Sequence, residues 1–448
     1  MVKEERVHYR NNEPVRDGDY VLYWMQQSQR SRYNEALEYA VTRANDLGLP
    51  CVVFFGVTPE FPEANRRHYR FMLEGLIETK KNLEARNISF LLEIADPVER
   101  AASLAGSAAL LVIDRGYLKI QRWWRTALVS KVACMCVEVE SDVVVPVETA
   151  SIKEEYSAAT LRRKIMPLVP SFLMLPEEQE ALATLKEGKL SFKNFNDPDS
   201  ILDKLNFINR ISEVEWIHGG TGEAEKHLNG FVKNNLKFYD TLRNDPTRDF
   251  ASHMSPYLHF GQISPVYIAL KIIRSGFSSA DKFIDELVVR RELSVNFLYY
   301  NTMYDRFEGL SAWAIKTLEE HAADPRPFLY TLKQFEKGAT HDRYWNAAQM
   351  ELVKTGAMQG YMRMYWGKKI LEWTNNPQEA FDVMVALNNR YALDGRDANS
   401  YAGIAWCLGK HDRPWKERPI FGKVRYMNEN GLKRKFDIDR YAERIESL

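Results

Sequence analysis

The chain has 448 residues, of which 45% are hydrophobic and 27% charged, and its formal net charge is zero. That length supports two or three domains, and that composition is ordinary for globular proteins. Zero net charge excludes a global field that would attract nucleic acid, so any such partner must meet a local basic patch.

The longest apolar runs are strand-sized, far short of the ~20 residues a membrane helix needs. The first residues, MVKEERVHYRNNEP, contain no apolar signal region. The cysteines Cys51, Cys134, Cys136 and Cys407 form no C-x2-C pairs and no secreted-protein framework. A metal-free protein of a reducing compartment is expected, cytosolic or nuclear, with no membrane partner.

From Tyr20 to about Val145, β-branched runs (DYVLYWM, PCVVFFGV, ISFLLEI, ALLVID) alternate with helical patterns such as NEALEYAVTRANDLG. This βα order predicts a doubly wound parallel sheet over residues 18–145. Neither a dinucleotide fingerprint nor a P-loop follows any strand. A ligand in this half would meet the strand ends near Met25, Gly56 and Asp114. Residues 146–237 have a looser pattern and are expected to link this domain to a helical one spanning 238–448.

The helical part opens with FYDTLRNDPTRDFASHMSPYLHFGQISP, in which Ser252 and Ser255 precede an apolar run. Serines there can cap a helix, or leave its N–H groups to an anion. Further on, Trp345, Trp366, Trp373 and Trp406 lie among polar residues. Trp366 and Trp373, seven apart, share nearly one helix face, and Trp345 belongs to a preceding helix that ends near Gly356. Core packing accounts for such a stripe as readily as a site does, but the loop LDGRDANS is too polar for plain core. From Lys410 to Lys435, nine basic residues face three acidic ones; a solvated tail and a nucleic-acid patch both fit.

The runs FYDTLRNDP, SPYLHFGQIS, ELVVRRELSVNFLYYN, WNAAQMELVKTGAMQGYMRMYWGKKILEW, LNNRYALDGRDANSYAGIAW and HDRPW resemble the photolyase/cryptochrome superfamily, specifically class II cyclobutane pyrimidine dimer photolyases. The resemblance spans nearly the whole chain. It implies an α/β antenna domain followed by an all-α FAD-binding domain, and light-dependent repair of dimers flipped out of UV-damaged double-stranded DNA. Reduced FAD would be held by Tyr239, Ser252, Met254, Ser255, Arg363, Asn388 and Asp394, with Asn388 at flavin N5 and Arg363 paired to Asp394. Trp366, Trp345 and Trp373 match an electron relay, as near, middle and outer members. Glu286 matches the carboxyl that contacts the dimer's carbonyl oxygens, a role that calls for a shared proton and a raised pKa. Glu292, about 240° further round an α-helix, would face elsewhere. Arg243, Asn244, Met364 and Trp406 match dimer-pocket positions; Arg413, Trp415 and Arg425 match residues that fill the gap left in the duplex. Arg290 departs from the family pattern, since some members have tryptophan there. The second chromophore implied is 8-hydroxy-5-deazaflavin or a folate, and a monomer is expected. A cryptochrome-like photoreceptor is the competing function.

Overall fold

The computed structural model describes residues 2–59, 61–186, 189–190, 195–207 and 211–448. Residues 187–188, 191–194 and 208–210 of the expected linker therefore lie outside the described residues. The chain divides into two units, Met1–Ala150 with Pro167–Asn229 and His253–Arg274, and Ser151–Met166 with Gly230–Ser252 and Ser275–Leu448.

The first unit is built on six strands: β1 (Val7–Tyr9), β2 (Tyr20–Trp24), β3 (Cys51–Val57), β4 (Ser89–Ile94), β5 (Ala108–Asp114) and β6 (Met135–Val139). Their order is β1-β6-β5-β2-β3-β4. All neighbours are parallel except β1 and β6. Helices α1 (Glu35–Leu47), α2 (Arg66–Glu84), α3 (Pro97–Ala105) and α4 (Lys119–Val129) connect them. This is the doubly wound α/β sheet that the sequence alternation predicts, with two additions. Strand β1 is three residues long and antiparallel, and β6 extends the sheet beyond the ALLVID run.

Side chains alternate across a strand, and here the alternation sorts them into two cores. Val21, Tyr23, Val53, Phe55, Leu110 and Val112 pack with Leu37 and Val41 of α1 and with Leu73 and Leu76 of α2. Tyr20, Leu22, Trp24, Phe54 and Leu111 pack with Val98, Ala101 and Leu104 of α3. With both faces covered, the strands are continuous apolar runs. A one-residue slip would exchange the two sets. The helix ends follow local chemistry: the Asn34 side chain accepts from the N–H groups of Ala36 and Leu37, and Gly48 ends α1 in the left-handed region at φ 65°.

The chain runs outward from β2 to β3 and β4, then crosses back to β5, so the sheet has its switch point between β2 and β5. At that point Asp114 is fully buried and accepts from the N–H groups of Gln26 (3.1 Å) and Ser28 (2.7 Å) and from the Tyr23 hydroxyl (3.2 Å). Near Met25 and Asp114 the expected crevice is thus bordered by the chain's own loop after β2. Gly56 packs on α3, where an added Cβ would stand 3.0 Å from Cα of Pro97.

The second unit is helical. Its central helices are Arg343–Thr355, Gly360–Trp373, Pro377–Tyr391 and Ala398–Cys407. The first three begin at Asp342, Gln359 and Asn376, whose side chains accept from the first-turn N–H groups. Gly356, at φ 70°, closes the first of them. Among the described residues no helix is long and apolar enough to cross a membrane, and no three His, Cys, Asp or Glu side chains are grouped to hold a metal.

Candidate active site

The Gly360–Trp373 helix carries Arg363, Met364, Trp366 and Trp373, and it is buried on nearly every side. Such a helix lacks a solvent face and is built into the middle of its unit. Gln359 anchors its start: the side-chain oxygen caps the helix, and the side-chain nitrogen donates to the carbonyl of Arg243 at 2.6 Å. Arg363 Nη2 lies 3.3 Å from Asp394 Oδ1, both side chains being mostly covered.

Asp394 belongs to a tight loop after the Pro377–Tyr391 helix. A Cβ on Gly395 would meet the carbonyl oxygens of Ala392 and Asn388 at 2.8 Å, so only glycine fits. Arg396 holds φ 64°, and its N–H donates to Asn389 Oδ1 at 2.9 Å while its guanidinium donates to the Asn389 carbonyl at 2.8 Å. Ser400 Oγ donates to the Asp394 carbonyl at 2.7 Å. Asn388 itself is 2% exposed, and its side-chain nitrogen is buried with no hydrogen-bond partner. A buried donor left so costs about 1–3 kcal/mol and needs an explanation.

The three tryptophans expected to act together do meet. Trp345 Nε1 donates to the carbonyl of Trp366 at 3.0 Å, and the rings of Trp345 and Trp373 are 6.0 Å apart at 68°. Trp366 Nε1 donates to Gln349 Oε1 at 2.8 Å. All three are at most 2% exposed. Beyond Trp373 the ring contacts continue to His341 (4.9 Å) and Tyr330 (5.7 Å), and the Tyr330 hydroxyl lies 2.7 Å from His341 Nδ1. His341 in turn stacks on the exposed Phe328 at 3.7 Å. Sequence reasoning missed this extension because HDRYW and PFLY carry no helical periodicity.

Glu286 stands in a charged cluster. Its carboxylate lies 3.3 Å from Arg290 Nε, 3.5 Å from Lys282 Nζ and 3.8 Å from Arg243 Nε. Its side chain is about one-third exposed. The backbone from Asp285 to Arg290 forms a π-helix, so the 240° separation of Glu286 and Glu292, which assumes a regular α-helix, does not hold. Glu292 is buried. Arg243 also lies over the ring of Tyr239. Burial first, and then the charge of Glu286, hold the Tyr239 phenol above its usual range. Asn244 is exposed beside Arg243. Across the cluster, Arg290 lies 5.6 Å from the ring centre of the half-buried Trp406. Met364 accepts from the Cys407 thiol at 3.8 Å.

Trp415 projects from an irregular loop and is 41% exposed. The guanidinium groups of Arg425 and Arg413 lie 5.2 and 5.5 Å from its ring centre. Trp415 N–H donates to the Lys423 carbonyl at 2.8 Å, and Trp415 Nε1 donates to Asp412 at 3.3 Å.

Tyr239, Ser252, Arg363, Asn388 and Asp394 fall in the second unit, whereas Met254 and Ser255 fall in the first. The capping role open to Ser255 is not formed. Ser255 is the first residue of the short helix Ser255–His259, and Met254 occupies the cap position without a side-chain capping bond.

Comparison with known proteins adds a lineage. The DNA photolyase family model matches residues 21–182. A deoxyribodipyrimidine photo-lyase of Methanothermobacter thermautotrophicus is 47% identical over 100% of this chain and 99% of its own. One from Arabidopsis thaliana is 41% identical over 96% and 89%. The fold superposes on an archaeal photolyase of Sulfolobus tokodaii, solved with two FAD molecules, with a TM-score of 0.73, 14% identity, and coverage of 95% of this chain and 89% of that one.

Proposed function

The chain belongs to the deoxyribodipyrimidine photo-lyases, enzymes of light-driven pyrimidine-dimer repair, and on that premise we propose that it binds reduced FAD in its helical unit and splits cyclobutane dimers flipped out of UV-damaged duplex DNA. The observation that carries the flavin reading is the partnerless buried side-chain nitrogen of Asn388, which fits a donor waiting for an acceptor atom of a bound ring. When bound, reduced FAD would supply the photoexcited electron that opens the cyclobutane ring and is then returned, with no net redox change.

The chain's own residues bind, orient and exclude water. Asn388 would set its side-chain amide beside flavin N5, which carries hydrogen in the reduced ring and donates to the amide oxygen. The Arg363–Asp394 pair would hold the flavin ring and fix the local charge. Tyr239 and Ser252, of the same unit, would complete the cofactor contacts. Trp366, Trp345 and Trp373 form the path by which electrons reach the flavin from outside. Glu286 holds the dimer's carbonyl oxygens, while Arg243, Asn244, Met364 and Trp406 wall the extruded lesion. Extrusion is cheapest for a damaged pair, since its stacking is already weakened. Arg413, Trp415 and Arg425 fill the gap left behind. We place the enzyme with the genome, in cytoplasm, nucleoid or nucleus, as a monomer.

For a second chromophore, the loop after β2 offers buried polar atoms without partners, on Gln26, Ser28 and Gln29. An 8-hydroxy-5-deazaflavin or a folate antenna could satisfy them there.

The test is direct. Reduced protein is mixed with an oligonucleotide carrying one thymine dimer, in light and in the dark. Dimer loss is expected in light only; loss in the dark, or none in light, overturns the reading.

A further inference from the structure

Arg290 is left without a role by the reaction proposed above, yet it touches two of the groups assigned to the lesion. Its Nε is 3.3 Å from Glu286 Oε2 and 3.5 Å from Asp285 Oδ2. Its guanidinium lies over the ring of Trp406 at 5.6 Å. These contacts depend on the π-helical stretch Asp285–Arg290, whose i→i+5 repeat brings Asp285 and Arg290 together. Such insertions are frequent at functional sites.

Neither carboxylate belongs to Arg290 alone. Asp285 lies 2.6 Å from Arg162, and Glu286 is shared with Lys282 and Arg243. Arg290 Nε is buried and donates no hydrogen bond, and about a third of the side chain is open. A guanidinium has five N–H donors in a rigid plane and keeps its protons at any working pH. Lying over an aromatic face restricts that plane further. The result is a set of oriented donors only partly used by the protein.

We propose that Arg290 is a lesion-binding residue: held between Glu286 and Trp406, it donates hydrogen bonds to the carbonyl oxygens of the extruded pyrimidine dimer. This rests on reading Glu286 and Trp406 as lesion contacts. Negative charge gathers on those oxygens when the dimer takes up an electron, so a permanent cation there supports both binding and repair. Its effect is confined to a base that has left the stack, unlike a phosphate-contacting cation, which acts on any duplex. If Arg290 acted only as the helical ion-pair partner of Glu286, R290K, which keeps the charge, would bind the damaged duplex as wild type does.

The experiment titrates the full-length flavin-loaded protein, in the dark, with a duplex carrying one thymine dimer and with the same duplex undamaged. R290Q is expected to weaken binding of the damaged duplex about ten-fold, which corresponds to about 1.4 kcal/mol, and to leave the undamaged duplex within about two-fold. Should R290Q fail to fold or to hold flavin, R290K answers the same question, because it keeps the charge and loses the planar donors. Equal weakening on both duplexes, unchanged discrimination, or full discrimination in R290K would each overturn the proposal. Because the reading is by binding, a wild-type protein that selects the dimer but leaves it unrepaired in light defeats the proposed function and not this inference.

Discussion

At Asn388 the energetic question is why a buried amide nitrogen goes unbonded, given that such a group costs about 1–3 kcal/mol. A ligand that accepts the bond resolves the cost and gains specificity at one atom. Replacing Asn388 with leucine, of similar size, removes the unpaired donor. The flavin-free protein is therefore expected to keep or raise its thermal midpoint, while the flavin-loaded protein loses cofactor or reoxidises faster in the dark. Flavin content by absorbance and the dark reoxidation rate check this; a variant with normal content and normal reoxidation would remove Asn388 from the cofactor site. In the sequence, Asn388 is an unremarkable polar residue beside Asn389, and only the family resemblance singled it out. Its missing partner is a property of packing. The same is true of Arg290 and Trp406, 116 positions apart in the chain, whose meeting no local pattern encodes.

Among elements, the Gly360–Trp373 helix shows what local pattern does and does not contain. Its start and the Gly356 turn before it follow from capping chemistry. Its orientation does not, because a helix buried all round has no amphipathic stripe to point inward. Likewise β2, β3, β4 and β5 are legible as β-branched runs, whereas β1, with three residues, exists only through its pairing with β6. The π-stretch at Glu286 was illegible for a similar reason: i→i+5 bonding is a response to packing rather than to periodicity. The buried helix also holds Lys368, fully inaccessible, with Nζ donating to the Cys407 carbonyl. Desolvation lowers its pKa to about 8. Below that pH both folded and unfolded chains carry the proton, and the cost of burying the ammonium is present in full. Between about 8 and about 10.4, the ordinary lysine value, the unfolded chain binds more protons, so this residue's contribution to stability improves as pH rises. The full swing is on the order of 3 kcal/mol. Lys368→Met is expected to be more stable than wild type at pH 7, with the gap closing by pH 10, in urea titrations at both pH values. A gap that stays constant with pH would show that Lys368 does not titrate in this range.

On the scale of the whole molecule, zero net charge means that DNA binding has to come from how charge is placed. In the reading proposed above, the basic stretch from Lys410 to Lys435 supplies that placement, and around Trp415 it divides into two kinds of contact. Arg413 and Arg425 flank the ring at 5.5 and 5.2 Å and in that reading meet phosphates, while the 41% exposed indole presents a flat apolar surface. These two roles respond differently to salt. Each phosphate neutralised releases counterions and contributes about −0.9 to the slope of log K against log salt concentration, whereas a stacking ring contributes nothing to that slope. Arg413→Gln is therefore expected to flatten the slope by about 1 on damaged and intact duplex alike. Trp415→Ala is expected to leave the slope unchanged and to weaken binding of the dimer-containing duplex alone, by roughly 1–3 kcal/mol if the ring fills the space of an extruded base. Fluorescence titrations of both duplexes from 50 to about 200 mM salt, the range over which phosphate contacts change affinity most visibly, separate the two effects. A Trp415→Ala protein that loses affinity equally for damaged and intact DNA would place the ring on the backbone instead of in the gap.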